Sequence, residues 1–406
     1  MSLQGQTREE FQRLFDEENL PAGRALLSVG EYDRVRISCE QALVQDRVSD
    51  RVAWELIRLS AVVARGAFSE EEVERLEALR DSYPEDIRLL EAGGRWLKEE
   101  LGRTEEGAEW LRALNEVAVT NPELSRGSYE ERLALGRAAS HLGASPDQVL
   151  ERFLLPARKL AEKRAESYLA AGRVALNHYD YARAAKEFRQ GIRQDPEHPE
   201  LRFALAQALW PGDRMAAITA LQRAVEMNKR HVGAMLLLAE VALQGENFRE
   251  VDALLRRANV VSPDHPQVAA MQAAVVWLRD HQEEERDEAL ARGLKRWPEN
   301  PLVPHTIGRL LSKNYRFAEG ADYQRQALDW EKGFLPAKMA LASDFLKLGR
   351  EEEAWKLAKE VADEDRFHVL AYNYGLLEKQ LAAYDTRETE HFILRMAPHE
   401  MIIYGD

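Results

Sequence analysis

The stretch VGAMLLLAEVALQGENFREVDALLRRANVVSPDHP, residues 232–266, decides the fold. Apolar residues recur at Met235, Leu238, Ala239 and Ala242, then resume after Gly245-Glu246-Asn247 at Val251, Leu254, Leu255 and Ala258. That spacing is the signature of amphipathic helix, and Gly-Glu-Asn is a break. The stretch predicts two helices of about a dozen residues joined by a tight turn. Ala239 and Ala258 fall where the helices must touch, and small side chains there let two backbones approach closely. Ser262-Pro263-Asp264-His265-Pro266 then ends the second helix, because proline lacks an amide N–H and restricts the residue before it.

The same punctuation recurs as Asp195-Pro196-Glu197-His198-Pro199 and as Trp297-Pro298-Glu299-Asn300-Pro301. Pro196 to Pro263 is 67 residues, two units, and Pro263 to Pro298 is 35. Upstream, Pro84 to Pro122 is 38 and Pro122 to Pro156 is 34. At 406 residues the chain exceeds what one compact core usually holds. The recurring period selects an elongated array over several separate domains.

The unit resembles the tetratricopeptide repeat, a helix–turn–helix of about 34 residues. The small, aromatic, bulky and proline positions of that family are matched here by Ala239, Phe248, Leu255, Ala258 and Pro263, with Val251 where alanine is usual. The unit before Pro196 reads Gly172, Tyr181, Ala184, Phe188 and Gly191. Ala217, Leu221 and Ala224 belong to the next unit. Gly308, Phe317, Gly320 and Ala327 belong to another, with Lys332 in place of its proline. Ala342, Gly349, Ala354 and Ala358 follow, and Gly30, Tyr32, Val35, Cys39 and Ala42 read as a degenerate early copy. The resemblance implies an all-α, right-handed α-α superhelix, a solenoid of roughly ten pairs. Residues 1–160 are expected to be degenerate repeats, 161–385 regular ones, and 386–406 the start of something else.

Three Ser-x-x-Glu/Gln patterns support helices in the poorer N-terminal third: Ser69 with Glu72, Ser128 with Glu131, and Ser145-Pro146 with Gln148. The stretch from Leu97 to Leu114 does not fit a clean frame and reads as a repeat lengthened at the Gly102-to-Gly107 turn. At the other end, His391-Phe392-Ile393-Leu394-Arg395-Met396 and Ile402-Ile403-Tyr404-Gly405-Asp406 look β-like, an orphan strand with no sheet to join. Pro301 to Asp406 resembles a bacterial group of tetratricopeptide proteins that continue into a zinc-metallopeptidase-like domain of the gluzincin (peptidase MA-like) kind. That resemblance implies a chain cut where such a domain begins. The opening Met1-Ser2-Leu3-Gln4, with no apolar signal core, likewise reads as the start of a piece of a longer protein. His399-Glu400-Met401-Ile402-Ile403 starts like His-Glu-x-x-His but lacks the second histidine.

Composition narrows the function. With 70 acidic and 56 basic residues the formal charge is −14, which disfavours nucleic acid and anionic membrane. The longest uncharged apolar runs fall short of the ~18 residues of a membrane span. Cys39 is the single cysteine, so neither an intrachain disulfide nor a cysteine metal cluster can form. It reads as a buried structural thiol. There is no Gly-rich phosphate loop, no nucleophile elbow, and no histidine pair at ligand spacing. His198 and His265 sit at equivalent inter-repeat turns, expected to pack or bind water. Glu70–Glu72, Glu283–Glu285 and Glu351–Glu353 read as solvated first turns favoured by the helix dipole. Trp54, Trp277 and Trp355 are expected in the core and Trp210 partly exposed. No metal, cofactor or catalytic set is expected, and the chain reads as non-enzymatic.

The function must then come from the array's concave face, which the resemblance assigns to the first helix of each pair. Carried over position by position, the groove comprises Leu169, Arg173 and Asn177; Phe203 and Gln207; Leu236, Glu240 and Gln244; Met271 and Val275; His305, Arg309 and Lys313; and Met339 and Ser343. The family's Lys/Asn carboxylate clamp is missing from every unit. Arg173, Arg309 and Lys313 are the best contact candidates, because cations inside an acidic protein would concentrate an acidic or carboxylate-bearing peptide. The expected partner is a protein or extended peptide, with no nucleic acid and no membrane insertion. The alternative is a substrate-recruiting or regulatory region for a zinc metallopeptidase.

Overall fold

The computed structural model describes residues 20–44 and 48–404. Ten antiparallel helix pairs follow one another among them. The first four are α1 (Leu20–Ser28) with α2 (Tyr32–Val44), α3 (Arg51–Ala64) with α4 (Glu70–Ser82), α5 (Ile87–Leu101) with α6 (Thr104–Thr120), and α7 (Tyr129–His141) with the broken helix α8 (Pro146–Val149) and α9 (Leu155–Leu160). The next three are α10 (Glu166–Asn177) with α11 (Tyr181–Gln194), α12 (Pro199–Leu209) with α13 (Arg214–Met227), and α14 (Val232–Gln244) with α15 (Phe248–Val261). The last three are α16 (Pro266–Asp280) with α17 (Glu283–Gly293), α18 (Leu302–Lys313) with α19 (Phe317–Trp330), and α20 (Leu335–Lys347) with α21 (Glu351–Glu364). A lone α22 (Val369–Ala382), a hairpin of β1 (Asp385–Glu388) and β2 (Ile393–Met396), and α23 (Pro398–Tyr404) complete the order. The architecture is the expected all-α right-handed solenoid.

The local chemistry of the pairs is regular. Three consecutive second helices begin on an Asp or Asn acceptor: Asp180 takes the N–H of Arg183 at 3.0 Å, Asp213 that of Ala216 at 3.1 Å, and Asn247 that of Glu250 at 3.3 Å. These bonds satisfy donors that a helix start leaves unpaired. The Ser128–Glu131 and Ser145–Gln148 capping boxes form in both directions. Ser69 makes no side-chain cap, and the Glu72 carboxylate that would complete a capping box pairs instead with the buried guanidinium of Arg58. Arg58 also bonds Glu55 at 2.8 Å, so one acidic triplet is partly an ion network rather than a solvated turn. The lengthened repeat is long in its helices, not its turn: only Gly102 and Arg103 separate α5 from α6. Gly94 and Gly107 make the close crossing of that pair possible, since a Cβ on either would strike the other's backbone carbonyl. Trp54 and Cys39 are buried as expected. Trp277 is half-buried, donating from Nε1 to Glu319 at 2.7 Å, and Trp355 and Trp210 are half-buried.

The C-terminal reading needs correction. Among the described residues, Phe392–Tyr404 is not an orphan strand: β2 pairs antiparallel with β1, Asp385 opposite Met396. Ile402, Ile403 and Tyr404 lie on α23, where Pro398 sits at the first helical position. His399 and Glu400 are therefore helical. Arg395 ties the hairpin back to Glu351 of α21 at 2.6 Å.

The superhelix closes on itself. Asn228 donates to the Ser28 carbonyl and to the Tyr32 hydroxyl, both at 3.1 Å and about 200 residues away in sequence. Arg230 donates to the Gly30 carbonyl at 3.2 Å and pairs with Asp33 at 3.0 Å. Further along, Arg65 reaches the Val260 carbonyl at 3.3 Å. Gly102, at φ 68°, abuts the Trp297 ring so closely that a Cβ would enter it. The seam ends where His178 Nδ1 meets Asp365 at 2.7 Å and the Val369 N–H meets the His178 carbonyl at 2.9 Å. Successive turns are thus in contact, C-terminal ends of first helices against N-terminal ends of those one turn on. A single apolar cluster accordingly runs from Ala22, Leu26 and Trp54 into Met235, Ala239 and Ile307.

Candidate functional site

Closure changes what the concave face offers. Glu240, on α14, is 1% exposed and accepts from Arg309 Nη1 at 2.7 Å and from Lys313 Nζ, both on α18. Burial alone would raise its pKa, but the charges of Arg309 and Lys313 hold it below the usual carboxylate range. Lys313 is in turn pushed below the usual lysine range by burial and by Arg309. Side chains from first helices two pairs apart therefore meet on the inner face. Leu236, Met271, Val275 and Met339 are buried.

The expected free cations are thus engaged: Arg309 and Lys313 with Glu240, and Arg173 with Glu200. The cause is the close approach of first helices on the inner face, which puts side chains of α10 and α12, and of α14 and α18, within reach of one another. His305 shares a 2.7 Å hydrogen bond with Gln324, and burial pushes its pKa down to about 4. Phe203 stacks at 4.7 Å on His231. Gln244 accepts from Arg214 at 2.8 Å. Arg173 and Asn177 remain exposed, and Gln207 and Ser343 are half-exposed.

The open space lies elsewhere, on the axis of the first turn. A cavity of about 760 Å³ is walled by α1, α3, α5 and α7 and by the N-terminal ends of α10, α12, α14, α16 and α18. The degenerate repeats line it along their first helices, and the regular ones close it with their helix starts. Three histidines sit where first helices meet it. Each is an N-cap: His198 Nδ1 accepts from Leu201 N at 3.3 Å, His231 from Ala234 N at 3.2 Å, and His265 from Gln267 N at 3.2 Å. His368 caps α22 in the same way at 3.1 Å. An accepting Nδ1 must be unprotonated, and burial pushes His265 down to about 4. Sequence reasoning missed this role. The signal was present in His198-Pro199 and His265-Pro266, a polar residue directly before a first-turn proline.

Around the same cavity, Glu166 and Glu200 occupy the first turns of α10 and α12. Burial opposes their charge, but Arg164 holds Glu166 down at about 2, and Arg173 with His231 holds Glu200 lower still. Among the described residues, no group of His, Cys, Asp and Glu could hold a metal ion. No described helix is long and apolar enough to cross a membrane.

Residues 211–275 match the tetratricopeptide repeat family. They cover α13 to the first part of α16 and include the stretch 232–266. No curated protein matches the chain. Among solved structures, yeast Tom70 is similar at 16% identity and TM-score 0.40, over 92% of each chain. The Cut9 and Hcn1 hetero-tetramer of the APC/C is similar at 14% identity and TM-score 0.42, over 87% of this chain and 74% of that one.

Proposed function

We propose that this chain is a non-enzymatic scaffold that binds a protein or extended peptide through the face of its tetratricopeptide-like array. The observation that carries the reading is the array itself. Stacked pairs build a long surface, and such surfaces suit extended partners. The negative net charge favours a protein over a nucleic acid. Within the inner face, Arg173, Asn177, Gln207 and Ser343 are the accessible candidates. Glu240, Arg309 and Lys313 support the wall from within, alongside Phe203, Gln244 and His305. A pull-down with the purified chain tests this, repeated with Arg173→Glu combined with Asn177→Ala. Prey identified by mass spectrometry is expected to be lost from the variant; an unchanged prey profile overturns the assignment of the face.

A second reading, recruitment for a zinc metallopeptidase unit, has its own support. Tyr372, Leu376, Phe392, Ile393 and Ile402 are exposed together around α22, the hairpin and α23, a surface suited to abut another folded unit. The reading frame that follows Asp406 in the source genome decides it. A His-Glu-x-x-His within the next two hundred or so codons supports it, and its absence overturns it.

A further inference from the structure

The axial cavity carries an imbalance that the fold does not use. Twelve ionic side chains line it, six arginines and six glutamates. Every one of those arginines has a carboxylate within 4 Å: Arg24 and Arg164 share Glu130, Arg95 and Arg137 share Glu91, Arg88 has Asp50, and Arg230 has Asp33. Five of the glutamates are likewise paired. Glu100 alone has no basic group within 4 Å among the described residues. It lies in the last turn of α5, where the negative end of the helix dipole disfavours a carboxylate and favours a cation. The same lining includes apolar side chains, Leu56, Ile57 and Val63 of α3 with Leu133 of α7.

A volume of this size is in the range of small-molecule sites, and its lining sets apolar residues among ionic ones. We propose that the cavity binds an alkylammonium group, the ammonium on the Glu100 carboxylate and the alkyl chain along Leu56, Ile57 and Val63. The ammonium supplies a cation in direct contact, where Arg296 and Arg95 act on Glu100 only from beyond 4 Å, and the alkyl chain leaves water for the apolar residues of the lining. Two sources share this chemistry, a free amine and the lysine side chain of an extended peptide. The site goes beyond the scaffold reading, because it is measured on the isolated chain with no partner.

The protonation state of Glu100 gives the site a signature. Burial pushes its pKa up to about 7. The groups around it are Glu99 and Arg95 on its own helix, Arg137 on α7, His265 at the start of α16 and Arg296 after α17. A protonated Glu100 does not hold an ammonium, so binding should strengthen as pH rises through that value.

Calorimetric titration with hexylamine, hexan-1-ol, hexanoate and acetyl-Ala-Lys-Ala-amide tests the proposal. An amine probe is expected to bind one to one, with the alcohol and the acid at least tenfold weaker. Its affinity should rise roughly tenfold from pH 6 to pH 8, and Glu100→Gln should abolish that rise and weaken binding at least tenfold. Binding of hexylamine alone assigns a free amine; binding of the lysine peptide, with or without hexylamine, assigns a protein side chain. No binding of either amine, equal binding of hexylamine and hexan-1-ol, or unchanged binding to E100Q overturns the proposal. The comparison of amine with alcohol is made on the unaltered protein, so it stands even if the variant folds poorly.

Discussion

Replacing Asn228 with alanine separates a closed superhelix from an ordinary solenoid. The side chain is 3% exposed. Its Nδ2 donates to the Ser28 carbonyl and the Tyr32 hydroxyl, and its Oδ1 accepts the Arg230 N–H at 2.9 Å. Alanine deletes three hydrogen bonds, of which the two to Ser28 and Tyr32 cross the seam; with the buried partners they strand, these two account for about 2–4 kcal/mol at about 1–2 kcal/mol apiece. The ion pair of Arg230 with Asp33 survives, so the closure is weakened by that amount rather than lost. At about 1.4 kcal/mol per decade, that is a roughly 30- to 700-fold increase in the opening equilibrium of the seam. Hydrogen exchange read by mass spectrometry is the assay, because it reports local opening segment by segment. In a solenoid whose pairs touch only their neighbours, the loss stays near the substitution. Here amides of residues 20–44 are expected to exchange faster, although they are about 200 positions away. The control is Asn247→Ala, which removes a cap outside the seam and should disturb only α15 and its neighbours. Faster exchange confined to residues 214–261 in both variants would refute the closure.

Two further outcomes follow from the same geometry. His265 and His305 are held near pKa 4, below the ordinary 6.5, so the unfolded chain takes up protons that the folded one refuses. Their contribution to stability is complete above pH 6.5 and is lost as pH falls toward 4, by at most about 3 kcal/mol each. Denaturant titrations of His265→Asn, which keeps an acceptor at the cap, should show a flatter pH slope in that window; an unchanged slope sinks the assignment. Ser128→Ala should cost about 1 kcal/mol for the lost capping box, while Ser69→Ala should stay within about 0.5 kcal/mol. Equal losses in the two variants by urea denaturation would contradict the cap assignments.

The pair was legible because its determinants are local. Ala239, Ala258 and Pro263 act over a few residues, and so do the Ser128 and Ser145 boxes, so their spacing alone sets helix, turn and stop. The radius of the superhelix was not legible. It is the sum of many small rotations between pairs, and no residue encodes it. That is why Glu240, Arg309 and Lys313 were placed on the concave face yet read as open to solvent, when they are bonded across it. The Ser69 capping box is absent for a similar reason: Arg58, on the neighbouring helix, takes the Glu72 carboxylate. Ile402-Ile403-Tyr404 misled through composition, since a short apolar run does not distinguish strand from helix. The cavity was not legible because its lining joins α3 and α5 to helix starts as distant in sequence as Leu302, and no local spacing encodes that meeting.

Contact between Gly30 and Arg230 also changes what the intervening residues are free to do. In an open array a pair can be duplicated or dropped, and the rest simply shifts along the axis. Here the pairs between the two contact points must together deliver one full turn at one fixed rise. A longer helix such as α6, with its 17 residues, is admissible only if other pairs absorb the difference. The number of pairs per turn is therefore a closed count, and the chain behaves less like a tape of modules than like a clasped ring.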